Sequence, residues 1–271
     1  MKRIVICCDG TWQSMKPTEV TNVAQVARSI SPTAPDGTPQ VVYYASGVGV
    51  SRGGNSTLAG AFGWGLDENL ADSYKFIALN YCPGDQLFFF GFSRGAYTVR
   101  SLGGLLRKCG ILKRSEAHRA HEALAIYRNK DDTADGDNAV RFRASFAQAW
   151  PRIGLQENMR TLMDAGASTQ DLRIRYLGVW DTVGALGIPS TLPFALRLNK
   201  KYEFHDDKLS RAVEYARHAV AIDERRNAFV PTLWGNVDEI NGRAWPERVQ
   251  QKWFPGDHGS VGGGGDTQAL S

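Results

Sequence analysis

The chain has 271 residues, 42% hydrophobic and 22% charged, which is enough apolar material for one large core and too little bias for a disordered or fibrous protein. A formal charge of +4, with no basic cluster interleaved with aromatics, excludes a dedicated nucleic-acid binder. No apolar run reaches the ~18 to 20 residues of a transmembrane helix, and the opening MKRIVICCDG meets Asp9 and Gly10 too early for a signal sequence. The expected location is therefore the cytosol, with only peripheral contact to membranes, and any export would need a signal-independent secretion route. Cys7, Cys8, Cys82 and Cys109 show no Cys-x-x-Cys spacing, so they read as core residues rather than as disulfides or metal ligands. Neither a metal nor a cofactor is expected.

In chain order, RIVICC (residues 3–8) and VVYYAS (41–46) read as strands rich in β-branched and aromatic residues. Leu66, Leu70, Tyr74 and Ile77 then recur at helical spacing. QLFFFGF (86–92) is a third strand, followed by a helix patterned on Val99, Leu102, Leu105 and Leu106. Residues 112–171 hold helical, mostly polar patterns without a convincing strand, and read as an insertion on the sheet that caps it. RIRYLGVWD (173–181) is a fourth strand. Leu209, Val213, Ala216 and Val220 suggest a further helix, and VQQKWF (249–254) a last strand. Strands apolar on both faces and alternating with helices imply an α/β, doubly wound, parallel sheet in one domain over residues 1–271.

Gly-x-Ser-x-Gly occurs twice. GVSRG (49–53) leads into GNSTLAG, which cannot open a helix directly. GFSRG (91–95) leads from a buried strand straight into AYTVRSLGGLL. That strand, turn and helix context suits a nucleophile elbow, with Ser93 in a strained conformation made possible by Gly91 and Gly95. The N–H of Arg94, in the first helical turn, would face a developing oxyanion.

A serine nucleophile needs a base, and the base an orienting carboxylate. His118 and His121 fall on the charged face of the insertion, and His205 and His218 among charges that suggest ion pairs. His258 lies in KWFPGDHGSVGGGG, a glycine-rich loop after the last strand, where an imidazole can return over Ser93. Asp181 closes the fourth strand at the same edge and is the expected acid. Asp223 reads as part of the helical run, and Asp257 adjoins His258 in a way that points the two side chains apart.

CDGTW, TNVAQVA, GVGV, GFSRGAYTVRSL, VWDTVGALG, YEFHDDKLSRAVEYARHAVAIDERR and FPGDHGSVGGG occur in an order that resembles the α/β-hydrolase family containing the catalytic domains of type VI secretion lipase effectors. The resemblance implies a serine ester hydrolase acting on lipid or phospholipid esters, with Ser93 as nucleophile, Asp181 as acid and His258 as base. It also implies that the CDGT loop supplies a second oxyanion donor, the N–H of Gly10 or Thr11, from a strand end at the same edge. One departure is Gly259 and Ser260 where the family carries Ser-Asp after the histidine. The alternative is a pseudo-hydrolase that binds a lipid or a protein without turnover. The apolar residues 185–198 are the expected wall for an acyl group.

Overall fold

A parallel strand that is apolar on both faces needs a cover on each side, and β1 (Arg3–Cys8) shows how this chain provides it. Ile4, Ile6 and Cys8 point to one side, into a core shared with Leu70, Tyr74, Val99 and Leu102. Val5 and Cys7 point to the other, against Val23. The structure is a computed structural model that describes residues 1–11, 13–15, 20–47, 58–152, 171–184, 208–242 and 246–264, with backbone alone for 58–64.

β2 (Gln40–Ala45), β3 (Gln86–Phe92), β6 (Ile174–Trp180), β7 (Val213–Ala221) and β8 (Val249–Phe254) complete a six-stranded sheet in the order β2-β1-β3-β6-β7-β8. Every pairing in it is parallel. α2 (Leu58–Asn80) and α3 (Arg94–Cys109) cover one face and α1 (Asn22–Ser29) the other. The fold is α/β, as the alternation of elements predicts, with the carboxyl ends of the central strands in register: Cys8 opposite Gly91, Phe92 opposite Trp180, Trp180 opposite Ala219. The residues that follow these strands therefore emerge along one edge.

Two expectations are corrected. Residues 213–221 form strand β7 and not a helix. Their burial, with Ala216, His218 and Val220 inward, has the period of two that a strand requires. The spacing of Val213, Ala216 and Val220 fits a helix only because Ala219 and Ala221 add no polar contrast. Secondly, the insertion carries a strand, β5 (Ala147–Ala149), paired antiparallel to β4 (Ile111–Leu112).

The described part of that insertion is a structural layer. α4 (Ala120–Arg128) and α5 (Asp137–Phe146) place Ala123, Leu124, Tyr127 and Phe142 in the main core. The β4–β5 pair follows the carboxyl end of α3, about 24 Å along the helix from its first residue. Its described residues therefore thicken the core behind α3. Cys7, Cys8 and Cys109 are buried as expected, whereas Cys82 is exposed. Among the described residues no helix is long and apolar enough to cross a membrane.

Candidate active site

Ser93 joins β3 to α3 with φ 57° and ψ −124°, a conformation that costs a residue with a side chain on the order of 1–3 kcal/mol. Sterics on both sides make the turn possible. A Cβ on Gly91 would lie 2.6 Å from Gly95 O and 2.7 Å from Ala96 Cα, and one on Gly95 would lie 2.1 Å from Cys8 O. Either side chain would separate α3 from the strands. The Ser93 N–H donates to Trp180 O at 3.1 Å, which ties the turn to β6.

His258 opens a five-residue helix, His258–Gly262, whose N-cap Asp257 accepts from the Ser260 N–H at 2.9 Å and the Ser260 hydroxyl at 2.7 Å. Its imidazole is packed between Phe92 and Phe229, with ring centroids 4.6 and 4.7 Å away. Nδ1 lies 2.6 Å from Asp181 Oδ2 and Nε2 lies 2.8 Å from Ser93 Oγ. A carboxylate only accepts, so Nδ1 carries the proton and Nε2 is left to receive the serine hydroxyl. Asp181, fully buried, has φ 35°. Its N–H donates to Ala219 O at 2.7 Å, and its Oδ1 accepts the Ala221 N–H at 2.9 Å.

The loop after β1 lies on the other side of Ser93. Asp9, buried, accepts from the Gly10 N–H at 2.8 Å, the Thr21 hydroxyl at 2.7 Å and the Tyr44 hydroxyl at 2.5 Å. Burial raises its pKa, and these three bonds oppose the rise. Of the two amides expected to face an oxyanion, that of Gly10 is thus directed at a carboxylate, because a buried acid gathers the nearest donors. The Thr11 hydroxyl accepts from Arg94 Nε.

These groups line a cavity of about 340 Å³, with Gly10, Thr11, Ser93, Arg94, Phe229 and His258 on its wall. The turn after β7 holds the histidine loop in place. Asp223 Oδ2 accepts the Gly256 N–H at 2.7 Å, and Glu224 Oε2 accepts the His258 N–H at 3.2 Å. Arg226 grips Glu224 with two bonds, 2.8 and 2.6 Å, and brings the Glu224 pKa down to about 2. The Arg226 guanidinium lies 4.2 Å from the centroid of Phe229, the ring that packs on His258.

The structure brings together Ser93, Arg94, Gly10, Thr11, Asp181 and His258 between the glycine-bounded elbow and the loops beside it. His118 and His121 are exposed, as read from the sequence. Asp223 is exposed in the turn beyond β7 and not buried in a helix. Ser51, His205 and residues 185–198 lie outside the described residues. Asp9 and Glu224 were missed as neighbours of these residues, though an aspartate ending an apolar strand was a legible signal for the first.

Residues 2–271 match the family described as type VI secretion system, phospholipase effector Tle1-like, catalytic domain. The chain belongs to this family. An uncharacterised protein of Saccharomyces cerevisiae is 26% identical over 84% of the chain, and the chain spans 32% of that protein's length. Among solved structures, the Tle1 effector bound to the VgrG spike of the type VI secretion system has a TM-score of 0.50 at 15% identity, over 97% of this chain and 51% of that one. An uncharacterised protein from Pseudomonas aeruginosa gives 0.48 at 16% identity, over 97% and 42%. The fold is that of an α/β-hydrolase.

Proposed function

We propose that this chain is a serine ester hydrolase acting on lipid or phospholipid esters, with Ser93 as nucleophile, His258 as base and Asp181 as orienting acid. The observation that carries the reading is the chain of two hydrogen bonds, 2.8 and 2.6 Å, that ends on a strained serine at the wall of a cavity. Neutral His258 takes the hydroxyl proton as Ser93 Oγ bonds to the ester carbonyl carbon. The electron pair of the C=O bond goes to oxygen, and the N–H groups of Arg94 and Thr11 receive the anion. Its collapse expels the alcohol, protonated by His258, and leaves an acyl-serine. Water, deprotonated by the same imidazole, releases the acid. Asp181 keeps the proton on Nδ1 throughout, and the two phenyl rings limit the imidazole to small rotations.

The lipid assignment rests on family membership, since the description of the family names phospholipase effectors. Export by a secretion system and peripheral contact with a membrane are part of the same proposal, supported by the family's description as effectors. Incubation with a fluorophosphonate and mass analysis of the peptide bearing Ser93, alongside hydrolysis of p-nitrophenyl esters and phospholipid vesicles, tests the reading. Labelling confined to Ser93 with turnover of esters is expected. A folded protein that neither labels nor turns over would be a binding protein instead.

A further inference from the structure

Strand β7 carries a histidine that has no part in the proposed proton transfers. His218 is 1% exposed and engaged at both ring nitrogens. Nδ1 lies 2.9 Å from Gln251 Oε1 on β8, and Nε2 lies 3.2 Å from the backbone N of Thr182. Their roles follow from the partners. Gln251 Oε1 also receives the Trp234 N–H at 2.8 Å, so it is the amide oxygen and can only accept. Nδ1 must hold the proton, which leaves the Nε2 lone pair for the Thr182 N–H. Burial, reinforced by the Arg100 guanidinium on α3 and opposed by the Gln251 hydrogen bond, brings the ring's pKa down to about 3 and keeps it uncharged. Trp234 covers it, with ring centroids 5.0 Å apart.

Thr182 follows Asp181, one of two residues besides glycine with positive φ among those described. Such a conformation persists only where the surroundings over-determine it. Three ties come from backbone groups: Asp181 N–H to Ala219 O, Ala221 N–H to Asp181 Oδ1, and Thr232 N–H to Thr182 O at 2.7 Å. The fourth is the imidazole of His218. The amide it receives belongs to the peptide unit that carries the Asp181 carbonyl, so its direction sets ψ of the strained residue.

We infer that His218 is a positioning residue: its Nε2 lone pair holds the peptide between Asp181 and Thr182 in the orientation that directs the Asp181 carboxylate at His258 Nδ1. The inference rests on the reading of Asp181 as the orienting acid. Neither an imidazolium nor the other neutral tautomer performs this task, because both place a proton on Nε2. The network around Gln251 and Trp234 thus selects the one form that does.

Steady-state hydrolysis of p-nitrophenyl butyrate by wild type, His218→Leu, His218→Gln and Asp181→Asn, each checked by circular dichroism and thermal melting, tests this. Glutamine can accept from the Thr182 N–H and donate to Gln251, whereas leucine does neither. His218→Leu should lower kcat by roughly 10- to 100-fold with KM within about twofold, and His218→Gln should recover most of the loss. A folded His218→Leu that keeps more than about half of kcat, or a folded His218→Gln that recovers nothing, overturns the inference. If Asp181→Asn is itself fully active, the reading of the acid fails. If Asp181→Asn is inactive and His218→Leu is not, only this inference fails. Should His218→Leu not fold, nitrogen-15 imidazole spectra of the wild type decide the matter. A ring protonated on Nδ1 alone between pH 8 and pH 4 is required, and a proton on Nε2 anywhere in that range rules the role out.

Discussion

Ser93 contributes a single hydroxyl, and removing it isolates what that hydroxyl does. Ser93→Ala should lower ester turnover by roughly 10³-fold or more, and adding His258→Ala should cost little further, because residues acting as one unit are not additive. Steady-state rates of the single and double variants check this. Asp181→Asn should lower kcat by roughly 10² to 10⁴, the amide being unable to fix the imidazole tautomer. Asp257→Asn, whose side chain caps the last described helix and takes no proton in the proposed reaction, should stay within a few-fold of wild type. Gly95→Ala should either prevent folding or abolish activity, since its Cβ would meet the Cys8 carbonyl at 2.1 Å. Expression yield and melting temperature distinguish these outcomes. The elbow was legible in the sequence because its sterics are local: two glycines flank one serine between a buried strand and a helix. Asp9 was legible only as the end of a strand, since its partners Thr21 and Tyr44 lie on other elements.

Strand β7 is the element where the sequence misleads most and the site depends most. Read as a helix, it places His218 among charges that suggest ion pairs and Asp223 inside a helical run. Read as a strand, it puts His218 inward and lets Ala219 and Ala221 hold Asp181 while the following turn holds His258. The error arises because alanines at 219 and 221 satisfy either period, and only pairing with β6 and β8 decides between them. The insertion offers a second case. Its polar surface was legible, but its apolar face fills the core behind α3. Leu124→Ala or Phe142→Ala should therefore destabilise by about 2–5 kcal/mol, visible in denaturant melts. The ratio of kcat/KM for long-chain to acetate esters should not change in these variants. A selective rise in KM for long chains would show that these side chains reach the acyl site.

At the scale of the whole molecule, the buried groups set how the fold responds to acid. His218 has a folded-state pKa of about 3, below the ~6.5 of an exposed histidine, so the unfolded chain binds a proton that the folded one refuses. Stability is complete above pH ~6.5 and falls toward pH 3 by on the order of 1.4 kcal/mol per unit from this group alone. Glu224, with a folded value of about 2, adds loss in the same direction once pH drops below the ordinary glutamate range. Asp9 acts oppositely: its raised pKa weakens the fold as pH rises through the carboxylate range. Urea melts between pH 7 and 4.5 should show the histidine slope in wild type and its loss in His218→Gln. A wild type with pH-independent stability over that interval would contradict the assignment. The parallel sheet and its two covers were legible except at β7, because apolar strands and amphipathic helices are written in local pattern. The side-chain network behind Asp181 was not, because each of its members comes from a different strand or loop.

The two strained residues, Ser93 and Asp181, also bear on descent. Glycine adopts positive φ without steric cost, so Ser93→Gly and Asp181→Gly relieve strain at the very positions the proposed chemistry requires. Selection for turnover and selection for stability therefore oppose each other at Ser93, whereas at Asp181 the relief is offset by the buried Ala221 N–H left without its acceptor. In a lineage that no longer needs hydrolysis, drift should carry position 93 toward glycine without loss of the fold. A Tle1-like sequence with glycine in place of this serine, and the rest of the elbow intact, would mark a domain retained for its shape after its chemistry was given up.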